Sequence, residues 1–170
     1  MSNPLLVNIA ELSRRAGSEK RLEVSVSVDH FEFGDRRIVG DEISVSLVLT
    51  SVNGGIAVDG TASAGWADEC SRCLTPVSGR AIAEVHELFQ ETVTNPDAYP
   101  IVGEQIDLTP MVRELVLLEL PGLPLCAEAC PGLCPSCGAD LAKGACGCAP
   151  AVGESPWDAL NSLKDQLPEG

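Results

Sequence analysis

The spacing of the cysteines constrains this chain more than any other feature of its 170 residues. Six of its eight cysteines lie in a short stretch that is rich in Pro, Gly and Ala and has almost no bulky apolar side chain. Because such a stretch cannot become ordered by burying apolar surface, another interaction must hold it together. The eight are Cys70, Cys73, Cys126, Cys130, Cys134, Cys137, Cys146 and Cys148.

The strongest metal-binding signal is the run Cys134-Pro135-Ser136-Cys137-Gly138, which a second pair of cysteines follows. Two residues between thiolates let both sulfurs face one ion, and the glycine permits the tight backbone that comes next. A closed four-sulfur zinc site has no position for a substrate water and is therefore structural. The first predicted zinc site consists of Cys134, Cys137, Cys146 and Cys148.

The remaining four cysteines predict a second zinc site that holds the segment after the main helix onto a β-sheet body. This site consists of Cys70, Cys73, Cys126 and Cys130. Two other interpretations of Cys70 and Cys73 are a redox dithiol and an exchangeable zinc-transfer site, and four cysteines also suit an iron–sulfur cluster. A thioredoxin-like motif opens a helix in a βαβ unit, whereas this pair follows a predicted antiparallel strand and is soon followed by Pro76.

Period-two alternation of apolar residues predicts at least four antiparallel strands. They lie near residues 22–28, 43–49, 56–66 and 80–90, with a hairpin turn at Asn53-Gly54-Gly55. Either Ala81, Ala83 and Val85 or Ile82, Glu84 and His86 face inward in the fourth strand. Residues 91–105, which are acidic and contain two prolines, are predicted to form a mobile loop.

One apolar helix is predicted after this loop. Thr109 is the expected cap and Pro110 the first helical residue, while Pro121 ends the helix. The expected apolar positions are Val112, Leu115, Val116 and Leu118. A short closing helix is predicted from Ser155-Pro156, with Trp157 on its apolar face.

The predicted fold class is α+β. An antiparallel β-sheet or partly closed barrel carries one buried helix, and a small Cys-rich, zinc-ribbon-like segment follows it. The predicted divisions are a body over residues 1–121, a zinc-binding segment over residues 122–150 and a C-terminal helix over residues 151–170.

The net charge of the chain limits the classes of partner that it is expected to bind. The formal net charge is −14, from 11 basic and 25 acidic residues. Nucleic-acid readers neutralise phosphates through a basic face, so the acidic balance favours a basic partner and argues against an anionic membrane. Direct RNA binding would require basic clusters to converge in space. The candidates are Arg14, Arg15, Lys20, Arg21, Arg36 and Arg37.

No motif predicts catalysis or a small-molecule substrate. His30 and His86 are isolated, and no serine or cysteine has a recognisable nucleophile setting. The first residues contain no basic region followed by a long apolar run, and no run is long enough to span a membrane, so a cytoplasmic protein is expected.

The order of these features resembles that of the YceD family of large ribosomal RNA subunit accumulation proteins. The landmarks are Glu69-Cys70-Ser71-Arg72-Cys73-Leu74, Glu87-Leu88-Phe89, Ile106-Asp107-Leu108, Pro124-Leu125-Cys126, the run from Cys130 to Leu141, and Ser155-Pro156-Trp157-Asp158. The resemblance implies a non-enzymatic factor that supports synthesis, processing or stability of large-subunit (23S) ribosomal RNA. With the acidic charge, it indicates a basic component of the large-subunit precursor as the partner, such as a ribosomal protein, rather than bare RNA.

Overall fold

Three long neighbouring strands form the centre of the protein in a computed structural model that describes residues 3–148. The chain divides into two units, Met1–Cys126 and Ala127–Gly170. The strands are β1 Leu6–Asn8, β2 Glu19–Ser27, β3 Ile38–Val52, β4 Gly55–Glu69, β5 Pro76–Gln90, β6 Tyr99–Pro100 and β7 Gln105–Asp107, and the helices are α1 Ala10–Ser13, a 3₁₀ turn at Val28–Phe31 and α2 Thr109–Leu118.

The main sheet has five strands in the order β2-β3-β4-β5-β6. All neighbours are antiparallel except β5 and β6, which are parallel, and β1 and β7 form a separate antiparallel pair. The predicted hairpin turn is confirmed: β3 and β4 are joined at Asn53-Gly54, and Gly54 has a φ of 93°. The first unit is therefore a mainly antiparallel, mixed sheet with one main helix.

The structure shows which residues of β5 face the core, a choice that the sequence leaves open. Ala81, Ala83 and Val85 are buried, whereas Ile82 is 56% exposed. Helix α2 contacts β4 and β5 and buries Met111, Val112 and Val116 in the same core. Alternate residues of each strand therefore share one apolar core, as the period of two predicts.

Helix α2 begins differently from the prediction. Thr109 is already helical, and the carboxylate of Asp107 accepts the hydrogen bond from the Thr109 N–H at 2.9 Å. A carboxylate two residues back satisfies a free N–H at the helix start and also suits the positive helix end. Of the apolar helix positions expected from the sequence, Val112 and Val116 are buried, whereas Leu118 is 73% exposed.

Residues 91–105, predicted to form a mobile loop, contain the short strand β6 that the sequence analysis missed. Tyr99 stacks on Phe89 with ring centroids 5.2 Å apart, and the Ile101 N–H donates to the Gln90 carbonyl at 2.9 Å. Pro100 has no N–H to offer, but an edge strand tolerates it. Pairing with the end of the preceding strand β5 makes this proline-containing segment a strand.

The second unit is described up to residue 148. Its only regular pairing among residues 127–148 is an antiparallel bridge between Leu133 and Asp140. The predicted closing helix at residues 151–170 lies outside the described residues. In the part of the chain that is described, no helix has the length and apolar character needed to cross a membrane.

Gly60 in β4 lies where a side chain cannot fit. Its φ is 144°, and a Cβ there would lie 2.1 Å from the Ser46 carbonyl oxygen of β3. Gly60→Ala is expected to lower the free energy of unfolding by about 3 kcal/mol, because two paired backbones would have to separate. Gly103, with a φ of 62° and open space around it, is the matched control: Gly103→Ala should cost about 1 kcal/mol. Urea denaturation measures both, and equal losses would contradict the close-approach argument.

Candidate metal centres

The structure groups seven of the eight cysteines within the two units. In the first unit the sulfurs of Cys70, Cys73 and Cys126 lie within 4.8 Å of one another, and in the second unit those of Cys134, Cys137, Cys146 and Cys148 do, so that each group can hold a metal ion. Cys130, the fourth cysteine predicted for the first group, belongs to the second unit. A tetrahedron with metal–sulfur bonds of about 2.3 Å places its sulfurs roughly 3.8 Å apart, so only a small contraction separates either group from that geometry.

The first cysteine pair lies in the connection between β4 and β5. Cys70 follows the last residue of β4 directly, and its N–H donates to the Thr75 carbonyl at 2.8 Å. The Leu74 N–H then donates to the Cys70 carbonyl at 2.9 Å. We call residues 70–75 the first knuckle. These two bonds fold the backbone so that Cys70 and Cys73 lie side by side.

Cys126 reaches the first knuckle from the segment after α2. Its sulfur lies 3.5 Å from the sulfur of Cys73, and the Ser71 N–H donates to the Pro124 carbonyl at 2.8 Å. Earlier in the same segment, the Pro121 carbonyl accepts a hydrogen bond from the Arg37 guanidinium at 3.0 Å. The same guanidinium pairs with Asp35 at 2.8 Å. Backbone contacts thus position the third cysteine independently of its side chain.

The second cysteine pair repeats the same backbone pattern. The Cys134 N–H donates to the Ala139 carbonyl at 2.8 Å, and the Gly138 N–H donates to the Cys134 carbonyl at 2.8 Å. We call residues 134–139 the second knuckle. The Leu141 N–H donates to the Gly132 carbonyl at 3.0 Å and closes the turn. Residues 146 and 148 supply the other two sulfurs.

The two knuckles differ at one position that the sequence analysis missed. Gly138 has a φ of 72°, as expected for the residue after such a cysteine pair, and Leu74 occupies the equivalent position with a φ of 61°. A leucine pays roughly 1 kcal/mol for this left-handed conformation, which glycine adopts freely. The signal that could have revealed it is the missing glycine after Cys73.

Backbone N–H groups favour the thiolate form in both knuckles. Hydrogen bonds, chiefly from the backbone of Cys126 and Arg72, lower the pKa of Cys70 to about 6. Bonds from the backbone of Cys137 and Ser136 lower the pKa of Cys134 to about 6. A metal binds the thiolate, so donors of this kind prepare these sulfurs as ligands.

The pKa values of two further cysteines are also shifted. Hydrogen bonds with the side chain and backbone of Thr75 lower the pKa of Cys73. The pKa of Cys148 rises to about 11, first because of hydrogen bonds with the side chains of Cys137 and Cys146. Several thiolates cannot share one small space without a cation, and a divalent ion supplies the missing charge.

Neither histidine belongs to either cysteine group. His30 is in the 3₁₀ turn, and His86 lies on β5, where it pairs with Asp59 at 2.9 Å and has a pKa raised by that hydrogen bond. Lys20 pairs across from Leu49, near the end of β3.

The six basic candidates for RNA contact therefore do not converge. Arg36 and Arg37 precede Ile38 at the start of β3, whereas Lys20 lies beside its far end, roughly 30 Å away along the strand. Arg14 lines the same surface depression as Lys20, together with Glu11 and Glu19. Acidic side chains thus accompany this basic group.

Cys70 and Cys73 do not have the setting of a thioredoxin-like dithiol. They lie in a turn between two antiparallel strands rather than at the start of a helix. Their partners are other sulfurs, backbone N–H groups and the Thr75 hydroxyl. The arrangement suits a closed, structural four-sulfur centre.

Comparisons with known proteins agree with the sequence landmarks. The family model described as large ribosomal RNA subunit accumulation protein YceD matches residues 58–164. An uncharacterised protein of Mycobacterium tuberculosis is 38% identical over 153 residues, which cover 84% of this chain and 73% of that protein. An uncharacterised protein of Mycobacterium leprae is 34% identical over 149 residues, 82% of this chain and 68% of that protein.

A plant protein is similar over a shorter stretch. The chloroplastic large ribosomal RNA subunit accumulation protein YCED homolog 1 of Arabidopsis thaliana is 33% identical over 69 residues, 41% of this chain and 22% of that protein. No solved structure matches the chain. Since the family model covers more than half of the chain and the landmarks around both knuckles agree with it, this protein belongs to the YceD family.

Proposed function

We propose that this protein is a non-enzymatic factor that supports accumulation of large-subunit ribosomal RNA by holding a basic ribosomal protein during assembly. The observation that carries the proposal is membership of a family named for large ribosomal RNA subunit accumulation, in a chain with a net charge of −14. An acidic protein gains association rate with a basic partner through long-range attraction.

The distribution of charge supports a protein partner over bare RNA. RNA binding draws its affinity from cations that neutralise neighbouring phosphates. Here the basic candidates form two groups at opposite ends of β3, and Arg37 is already paired with Asp35. A direct RNA-binding module is the second candidate, and it would have to use one of these small groups alone.

Both cysteine groups are proposed to bind zinc. Cys134, Cys137, Cys146 and Cys148 would hold one ion, and Cys70, Cys73, Cys126 and Cys130 the other. Four thiolates fill the coordination sphere of Zn²⁺, so each ion would be structural and would make residues 127–148 a zinc-ribbon-like segment. Each filled site carries a net charge of about −2, which adds to the acidic character of the protein.

Zinc content tests the two sites separately. Protein expressed with sufficient metal is expected to contain about two zinc ions per chain, because each four-thiolate set binds one. Cys137→Ser and Cys73→Ser should each remove one ion, and Ser136→Ala, which changes a neighbour but no ligand, should remove none. Elemental analysis of the purified protein measures this. Less than one ion per chain would contradict the first site.

Loss of the second-knuckle metal is expected to disorder residues 127–148 and to leave the sheet folded. The body has its own core of alternating strands and α2, whereas residues 127–148 have a single bridge. Hydrogen exchange of Cys137→Ser should show lost protection in this segment and unchanged protection in β2 and β3. Faster exchange around Val24 and Leu47 would refute the independence of the body, and Ser136→Ala serves as the control.

Capture from cell lysate tests the proposed function. Tagged protein should retain large-subunit ribosomal proteins after RNase treatment, and retention should fall as salt rises, because charge attraction is screened within about 10 Å at 0.1 M salt. Depletion of the protein should lower large-subunit RNA relative to small-subunit RNA. Substitution of Arg14 and Lys20 by glutamine should leave retention unchanged.

A different pattern would favour the second candidate. RNase-sensitive capture, together with tight binding of purified protein to bare ribosomal RNA, would show that RNA is the partner. In that case, removing the basic side chains near Arg14 or Arg36 should abolish binding.

A further inference from the structure

The first knuckle keeps a conformationally costly residue whose side chain faces solvent. Leu74 has a φ of 61° and is 57% exposed. The equivalent residue of the second knuckle is Gly138, which adopts this backbone without cost. Neither the fold nor the sulfur geometry requires a leucine here, since the same two hydrogen bonds form around glycine. An exposed, strained residue of this kind points to a role for its side chain outside the fold.

Two further exposed leucines flank a residue that is bonded to the first knuckle. The hydrogen bond from the Ser71 N–H to the Pro124 carbonyl, at 2.8 Å, holds residue 124 against the first knuckle. Pro124 is buried, and its neighbours Leu123 and Leu125 are 79% and 37% exposed. We call Leu74, Leu123 and Leu125 the knuckle patch. Exposed aliphatic side chains that are grouped in this way mark interaction surfaces more often than scattered ones do.

The charges around the knuckle patch have a small negative excess. The adjoining chain, residues 68–75 and 119–125, contains the carboxylates of Asp68, Glu69 and Glu119 and one cation, Arg72. Glu69 and Glu119 are exposed. The nearby Arg37 pairs with Asp35 and donates to the Pro121 carbonyl, and its neighbour Arg36 is exposed. Once Asp35, Arg36 and Arg37 are included, the border contains four carboxylates and three guanidinium groups. An apolar centre with a net negative border matches a ligand that presents an apolar side chain among lysines and arginines.

We propose that the knuckle patch is the docking surface for a basic polypeptide segment that inserts one bulky aliphatic or aromatic side chain among these leucines. The inference rests on the proposed function, because it names the surface that holds the basic ribosomal partner. The acidic residues would raise the association rate of the segment, and contact with the leucines would lower its dissociation rate. Leucine is retained at position 74 for this contact despite its backbone conformation.

The variant Leu74→Gly is expected to weaken binding of the partner without destabilising the fold. The variant gives the first knuckle the residue type found in the second, so its urea midpoint and zinc content should be unchanged or higher. Leu123→Ser tests the same patch from a segment without backbone strain. Ile82→Ser is the matched control, because Ile82 is an aliphatic side chain of similar exposure, 56%, on the regular strand β5.

The probe is the RNA-free protein fraction extracted from purified large ribosomal subunits, with each component bound by immobilised protein quantified by mass spectrometry. For at least one basic component, Leu74→Gly and Leu123→Ser are expected to weaken binding about tenfold, while Ile82→Ser leaves it unchanged. Glu69→Gln should mainly reduce the dependence of binding on salt.

The outcomes distinguish the two proposals. Undiminished binding by both leucine variants would overturn the knuckle patch and leave the proposed function standing. Failure of the unaltered protein to bind any component would overturn both. If Leu74→Gly instead abolishes self-association in sedimentation, the patch joins two copies of this chain, and the proposed basic ligand is wrong.

Discussion

The register of β4 between β3 and β5 is the constraint on which the first unit depends. β4 pairs along nearly its full length with both neighbours, and Gly60 allows its backbone to approach the Ser46 carbonyl of β3 closely. The last pair of the β4–β5 ladder, Glu69 with Pro76, leaves six residues between the strands. Those residues are the first knuckle, so strand pairing itself determines where Cys70 and Cys73 are presented.

Metal-ligand geometry and surface chemistry are separable in the two knuckles. Both use the same pair of backbone hydrogen bonds, and in both, N–H donors lower the pKa of the leading cysteine. They differ in what they show to solvent: Gly138 presents no side chain, and Leu74 presents an aliphatic one. The same backbone turn therefore occurs with two different residues at its left-handed position.

The acidic charge and the closed sulfur groups support the same type of function. A four-thiolate centre leaves no coordination position for a substrate, and the described residues contain no other group of three or more metal-ligating side chains. The basic residues are divided between the two ends of β3. The family name connects the protein to accumulation of large-subunit ribosomal RNA.

The sequence by itself determined the alternating faces of the strands, the turn at Asn53-Gly54 and the composition of both sulfur groups, because periodicity and ligand spacing are local properties. Tertiary structure decided which face of β5 is buried, that Tyr99 pairs beside Phe89, and that Asp107 rather than Thr109 satisfies the start of α2. It also decided the exposure of Leu74. The buried face of β5 depends on packing against segments distant in the chain, and the other three depend on backbone geometry that a sequence pattern does not specify.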